Sequence, residues 1–206
     1  MDIFEKIADY QEEPVRKIMR NAHDAKAGGI VFFGDSLIQG FDLKKYFNRD
    51  TIYNCGCNGA TTDLLLHLQP YAIREYGPSK VVMLIGTNDL SDTWQFDKLD
   101  IVYNIYKLIE IMRHNNPAVD VCVISPLPID EKRKKTICRN NMQLKLLGEE
   151  IEKIVQEFSG CCYLNVYDDF LKGDNINPDY TEDGLHLSEA GYDLLADKIR
   201  FFIEEE

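Results

Sequence analysis

Short apolar runs rich in β-forming residues alternate with amphipathic stretches along this chain. The apolar runs predict five strands, at Gly29–Phe33, Thr51–Asn54, Lys80–Ile85, Val119–Ile124 and Cys162–Asn165. The third run contains the sequence VVMLI, which is continuously apolar and does not alternate. Such a run is typical of a strand that is covered on both faces, as in a parallel sheet.

Stretches with helical periodicity lie between these runs. One of them repeats apolar residues at the spacing of a single buried helix face: Ile101, Ile105, Leu108 and Met112. The predicted helices are an N-terminal one at about Ile3–Ala22, then Thr62–Tyr76, Lys98–Asn115, Thr136–Phe158 and Ser188–Ile203. Strands that alternate with connections of helix length predict an α/β protein, a three-layer α/β/α sandwich with a parallel five-stranded sheet. We find no repeat, low-complexity segment or linker, so residues 1–206 are expected to form one domain.

Charge and composition exclude several classes of function. The formal net charge of −12 disfavours binding to nucleic acid or to anionic membranes, because both need a basic surface. No apolar stretch reaches the roughly 20 residues that cross a membrane. The charged N-terminal segment does not resemble a signal peptide, so a cytoplasmic location is expected. The basic cluster KRKK at Lys132–Lys135 is interpreted as a solvated loop.

The six cysteines do not have the spacing of a zinc site. The sequence contains no CxxC pair and only four histidines. We therefore expect reduced thiols and no bound metal.

Candidate chemistry follows the first predicted strand, at the edge where open parallel sheets bind ligands. The sequence Gly34-Asp35-Ser36-Leu37 places a serine at a strand-to-helix turn. There its Oγ can stand above the sheet, close to backbone N–H groups that stabilise negative charge. The alternative is that Asp35 or Ser36 only caps a helix.

Two further loops can supply hydrogen bonds to an oxyanion. After the second strand, CGCNGATT (residues 55–62) has two glycines three positions apart, which allow a tight path with an N–H in the cleft. After the third strand, Gly86-Thr87-Asn88-Asp89 offers the side-chain N–H of Asn88. The alternatives are a glycine turn before a helix cap, at Thr61 or Thr62, and ordinary turn chemistry at Asn88.

The fourth segment is Asp183-Gly184-Leu185-His186, just before the last predicted helix. Asp183 can orient the imidazole of His186 through Nδ1 while Nε2 faces a nucleophile. The alternative is an exposed Asp-Gly turn. Together the four segments supply a nucleophile, a base, an orienting acid and oxyanion donors, which is a full set for acyl transfer.

These segments resemble the conserved blocks of the GDSL lipases and acylhydrolases, the SGNH hydrolase superfamily. VFFGDSLIQG, NCGCNGATT, IGTNDL and DGLHLSEAGY occur in the family's order and span most of the chain. The resemblance implies a flavodoxin-like fold, no cofactor, and a catalytic triad of Ser36, Asp183 and His186. It implies an oxyanion hole formed by the backbone N–H groups of Ser36 and Gly56 and the side chain of Asn88. Ala60 and Ser188 depart from residues that are frequent in relatives, which leaves the subfamily open.

The expected function is a serine esterase that acts through an acyl-enzyme on small O-acetyl or short-acyl esters. Two enzyme alternatives are a lysophospholipase or thioesterase, and a metallophosphoesterase with Asp35, Asn88, Asp89 and His186 around a metal. A third alternative is a non-catalytic module on the same fold that binds a glycan or a flavin. The expected partner is a small-molecule ester, with no nucleic acid or membrane, and a homo-oligomer is possible. The loop at Pro126–Lys135 is the one candidate lid, and the sequence does not identify the natural ester.

Overall fold

Five parallel strands form the central sheet of the computed structural model, which describes residues 3–91, 97–133 and 138–204. The strands are β1 (Ile30–Gly34), β2 (Ile52–Gly56), β3 (Lys80–Leu84), β4 (Asp120–Ile124) and β5 (Cys161–Leu164). Their spatial order is β2-β1-β3-β4-β5, and every neighbouring pair is parallel. This is the flavodoxin-like order, so the predicted fold class is confirmed.

Helices cover both faces of this sheet. They are α1 (Asp9–Ala22), α2 (Ser36–Gln39), α3 (Leu43–Tyr46), α4 (Thr62–Gln69), α5 (Lys98–Asn115), α6 (Asn141–Val155) and α7 (Glu189–Glu204). On one face Val31 and Phe33 pack in a core with α1, α4, α5 and α6, and on the other Ile30 and Phe32 pack with α2, α3 and α7. The alternation of strand residues between two apolar cores explains why the strands read as continuously apolar. None of the helices that the structure describes is long and apolar enough to cross a membrane.

The predicted helices differ from the observed ones mainly at their ends. Helix α1 begins at Asp9 because Ala8 has an extended backbone, and the preceding residues Ile3–Glu5 form a separate 3-10 turn. Helix α4 ends at Gln69, and the chain continues as a π-helical turn over Pro70–Arg74. Helix α6 begins at Asn141, because the side chain of Asn140 accepts a hydrogen bond from Gln143 N–H and caps it. Residues 136 and 137 of the predicted helix lie outside the described residues.

Several short elements of the described residues were not predicted. Helices α2 and α3 have four residues each, and a hairpin of β6 (Leu171–Lys172) and β7 (Asn175–Ile176) has two-residue strands. Elements of this length carry too few positions to show a periodicity.

The carboxyl ends of β1, β2 and β3 meet at one edge with little space between them. Gly34 at the end of β1 is aligned with Gly56 of β2 and Leu84 of β3. A Cβ on Gly34 would lie 2.1 Å from the carbonyl oxygen of Leu84, so only glycine fits there. The loops that leave these strands are thereby held side by side.

A buried carboxylate joins two of these loops. Asp89, which follows β3, has no exposed surface, and its Oδ1 accepts hydrogen bonds from the backbone N–H (3.0 Å) and Oγ1 (2.5 Å) of Thr62. Burial raises the pKa of Asp89 to about 7, although the hydrogen bonds from Thr62 oppose the increase. The pair fixes the start of α4 against the end of β3.

The raised pKa of Asp89 makes stability depend on pH. The folded protein binds this proton more tightly than the unfolded chain does, so its stabilisation is complete below about pH 4 and is lost as the pH rises through about 7. We expect Asp89→Asn to flatten this fall in the free energy of unfolding, by at most about 1.4 kcal/mol per pH unit. Urea unfolding of both proteins between pH 4 and 8 measures the slopes, and equal m-values are the control. Parallel curves for the two proteins would contradict the assignment.

Candidate active site

Ser36 lies at the turn where β1 becomes α2. Asp35 precedes it as the N-cap of α2, with its Oδ1 accepting a hydrogen bond from Leu37 N–H at 2.9 Å. Ser36 is the first residue of this helix, and a backbone N–H at that position has no acceptor within the helix. Its side chain is half-buried at the carboxyl edge of the sheet. The same turn therefore caps α2 through Asp35 and places Ser36 at the carboxyl edge of the sheet.

The structure brings Ser36, His186 and Asp183 together in one chain of hydrogen bonds. Nε2 of His186 lies 3.1 Å from Oγ of Ser36, and Nδ1 of His186 lies 2.8 Å from Oδ2 of Asp183. With the ring proton on Nδ1, the imidazole donates to the carboxylate and Nε2 accepts from the hydroxyl. The other carboxylate oxygen of Asp183 accepts from the backbone N–H of His186 at 2.8 Å, which holds the two side chains in a fixed relation.

The segment that carries His186 is tied to the turn at Ser36 by α7. Oη of Tyr192 donates to the carbonyl oxygen of Leu37 at 2.9 Å, and its ring packs against Phe41 with the centroids 5.1 Å apart. Burial raises the pKa of the Tyr192 phenol, which keeps it protonated as a donor. These contacts of Tyr192 hold α7 against the segment that follows Ser36, and so hold His186 close to Ser36.

Asp35 is a second carboxylate close to His186. It is 2% exposed, and burial raises its pKa to about 6, against the opposing effects of Leu37 N–H, His186 and Arg139. The segment before Ser36 therefore contributes to the electrostatics of the site as well as to its backbone geometry.

The side chain of Asn88 is held in one orientation from both ends. Its Nδ2 donates to the carbonyl oxygen of Ala60 at 3.0 Å, and its Oδ1 accepts from a guanidinium nitrogen of Arg139 at 3.3 Å. Arg139 also donates through Nε to the carbonyl oxygen of Thr87 at 2.9 Å. One hydrogen on Nδ2 remains available beyond the bond to Ala60. No sequence pattern marked Arg139, because its contacts cross between distant segments.

Gly56 requires a correction. Its backbone N–H was expected to face an oxyanion, but it donates to Oδ1 of Asn54 at 2.9 Å. A Cβ on Gly56 would lie 2.2 Å from the backbone nitrogen of Gln39, so the position is glycine because β2 packs tightly against α2. The N–H of Gly56 is already satisfied and is not free to bind a substrate oxygen.

Gly59, three residues later, has the available backbone N–H that was expected of Gly56. Among the described residues none accepts a hydrogen bond from its backbone N–H. Its φ of +69° is a conformation that glycine adopts without strain. The next residue, Ala60, is the one whose carbonyl oxygen binds Asn88. The sequence showed that one of two glycines could present its N–H, but it did not show which of them does so.

The other candidate ligands of a metal do not converge on this edge. His67 and His114 lie within α4 and α5, and His23 directly follows α1. Within the described ranges there is no cluster of three or more His, Cys, Asp or Glu side chains arranged to hold a metal ion. Two residues of the basic cluster, Lys134 and Lys135, lie outside the described residues, as does part of the candidate lid.

Comparisons with solved structures agree with this fold. A solved structure of a Streptococcus pneumonia protein, named as a candidate platelet activating factor, is 25% identical with a TM-score of 0.87, covering 94% of this chain and 92% of that one. The lipase/acylhydrolase from Enterococcus faecalis is 25% identical with a TM-score of 0.71, covering 85% of this chain and 95% of that one.

A curated relative is larger than this chain. It is an N-acylneuraminate cytidylyltransferase from Streptococcus agalactiae, 26% identical over 181 residues, which are 85% of this chain and 38% of the relative. The chain thus corresponds to well under half of that protein. The model of the GDSL-like lipase/acylhydrolase family matches residues 32–194, from β1 into α7. By the extent of this match, the chain belongs to the GDSL-like lipase/acylhydrolase family.

Proposed function

We propose that this protein is a serine-dependent ester hydrolase that acts through an acyl-enzyme, with Ser36 as the nucleophile, His186 as the base and Asp183 as the orienting acid. The observation that carries the proposal is the continuous hydrogen-bonded chain from Ser36 Oγ through the imidazole to the Asp183 carboxylate. A binding module that had lost catalysis would have no need of this arrangement.

In the acylation step, Ser36 Oγ bonds to the ester carbonyl carbon as its proton passes to Nε2 of His186. Asp183 stabilises the imidazolium that forms and keeps Nδ1 as the proton donor. The bond to the alcohol oxygen then breaks, and that oxygen takes the proton from Nε2. In deacylation, water loses a proton to Nε2 of His186 as its oxygen bonds to the acyl carbon. The bond between that carbon and Ser36 Oγ then breaks, Oγ takes the proton back from Nε2, and the carboxylic acid leaves.

The negative charge on the carbonyl oxygen needs donors that are fixed before the reaction. We assign this role to the backbone N–H groups of Ser36 and Gly59 and to Nδ2 of Asn88. Gly59 replaces Gly56 in this assignment, because the N–H of Gly56 is bound to Asn54. Arg139 supports Asn88 by holding its Oδ1, which keeps Nδ2 as the atom facing the cleft.

We expect a small substrate with an acetyl or other short acyl group, in a cytoplasmic setting. The net charge of −12 opposes binding to anionic lipid aggregates. Because the curated relative is named for N-acylneuraminate, an O-acetylated form of that sugar acid belongs among the substrates to be tried. A panel with acetylated neutral sugars, nitrophenyl esters from acetyl to dodecanoyl, a lysophospholipid and an acyl thioester ranks these classes by kcat/KM. Acetyl to butyryl esters should lead, and a preference for the lysophospholipid or the thioester would overturn this choice.

A fluorophosphonate should label Ser36 covalently, because it traps a serine that is activated by a neighbouring base. Ser36→Ala should abolish labelling and hydrolysis of p-nitrophenyl acetate. Ser79→Ala is the matched control, since Oγ of Ser79 binds the carbonyl oxygen of Gly28 at the opposite edge of the sheet. Peptide mass spectrometry identifies the labelled residue. A label on any other serine, or undiminished turnover by Ser36→Ala, would refute the proposed nucleophile.

Asn88→Ala should lower kcat by roughly 10²–10³-fold with little change in KM, because the lost donor acts on the transition-state oxyanion. Asn116→Ala is the matched control: its Nδ2 also donates to a backbone carbonyl, that of Pro78 at 3.2 Å, but at the far edge of the sheet. That variant should keep its kcat even if its melting temperature falls. A near-normal kcat for Asn88→Ala would remove Asn88 from the oxyanion hole.

A further inference from the structure

The first turn of α1 lies against the loop that carries Gly59. Nε2 of Gln11 donates to the carbonyl oxygen of Asn58 at 2.9 Å. The ring of Tyr10 covers the same loop, since a Cβ on Gly59 would lie 2.5 Å from its Oη. Helix α1 precedes the part of the chain matched by the family model, which begins at residue 32. An element outside that match thus contacts the loop beside the candidate nucleophile.

We propose that Gln11 is a positioning residue for the oxyanion hole: it fixes the plane of the Asn58–Gly59 peptide so that the N–H of Gly59 faces the cleft. This inference rests on the proposed ester hydrolase function and on the assignment of Gly59 as a donor.

The geometry of the Asn58–Gly59 peptide links the side chain of Gln11 to the direction of the Gly59 N–H. The Asn58–Gly59 bond is trans, so its C=O and N–H point in opposite directions. Because the carbonyl oxygen is bound to Gln11, the N–H of Gly59 is directed away from α1. The backbone N–H of Asn58 is held in turn by Oε1 of Gln39 at 2.7 Å. Gln11 therefore restrains the Asn58–Gly59 peptide, whose glycine would otherwise permit rotation, and Gln39 restrains the preceding Cys57–Asn58 peptide.

Gln11 is itself held firmly enough to serve this purpose. It is 3% exposed, and its Oε1 accepts the backbone N–H of Ala8 at 3.0 Å, so Nε2 is the atom that must reach the loop. Helix α1 is fixed by the buried side chain of Val15 and by the hydrogen bond from Tyr76 Oη to the carbonyl oxygen of Ile18 at 2.7 Å. The restraint on the loop is thus transmitted from the core through α1.

Gln11→Glu is the most specific test. Glutamate at the third position of a helix is a normal capping residue, so it keeps the acceptor for Ala8 N–H and the start of α1. It removes the donor to Asn58 and, when ionised, sets a carboxylate oxygen against the carbonyl oxygen of Asn58. We expect kcat with p-nitrophenyl acetate to fall about 10- to 100-fold, less than loss of a whole donor, with KM within about twofold. The rate of fluorophosphonate labelling at Ser36 should fall in parallel. Gln11→Met, which removes both hydrogen bonds, is the second variant and should show at least the same loss.

Val15→Ala controls for a general loosening of α1, because Val15 is fully buried and its side chain cannot form a hydrogen bond to the loop. Its melting temperature should fall by at least as much as that of Gln11→Glu, while its kcat stays close to that of the wild type. Equal losses of kcat in the two variants at equal melting temperatures would reduce Gln11 to a structural residue and overturn the inference.

The outcomes separate the two proposals. An active wild type whose Gln11→Glu and Gln11→Met variants keep kcat within twofold overturns the role of Gln11 alone. A wild type that neither turns over the ester nor is labelled at Ser36 overturns the ester hydrolase function and this inference with it.

Discussion

Parallel pairing of all five strands of the central sheet is the constraint on which the rest of the structure depends. Because the strands run in one direction, the chain leaves each of them at the same edge. The register aligns Gly34 with Gly56, and the absence of side chains there lets β1, β2 and α2 approach closely. Each loop at this edge needs only a few residues to reach the others. The site is thus built mainly from strand ends, which the core on both faces keeps rigid.

The sequence predicted the sheet and most helices because their apolar positions recur with clear periods. Helix α5 was predicted at its observed limits, Lys98–Asn115, since its buried face is long and regular. Ser36, Asp183 and His186 were predicted to meet, and they do so in the structure. Ser36 directly follows a strand of the parallel sheet, and residues 183–186 directly precede the last helix. Local patterns and the family resemblance were therefore sufficient to pair them.

The parts that could not be predicted depend on contacts between distant segments. Gly56 and Gly59 look equivalent in the sequence, and what distinguishes them is the side chain of Asn54 and the backbone of Gln39. Capping and site chemistry were also treated as alternatives, whereas Asp35 caps α2 while lying close to His186. Thr61 likewise caps α4 at the end of the Gly59 loop. A helix that starts at a strand end needs a polar cap, and the same polar atoms then surround the cleft.

The hydrogen bond between Ser36 and His186 joins residues 150 positions apart. Closing so long a loop carries a large entropic cost, which is repaid only when the surrounding contacts form together. During synthesis the turn at Ser36 is made early, and Oγ of Ser36 has no imidazole partner until residues 183–186 follow. An unpaired serine hydroxyl is a weak nucleophile. Under the proposed function, Ser36 would therefore gain its reactivity only when the segment before α7 docks, and ester hydrolysis would report completed folding.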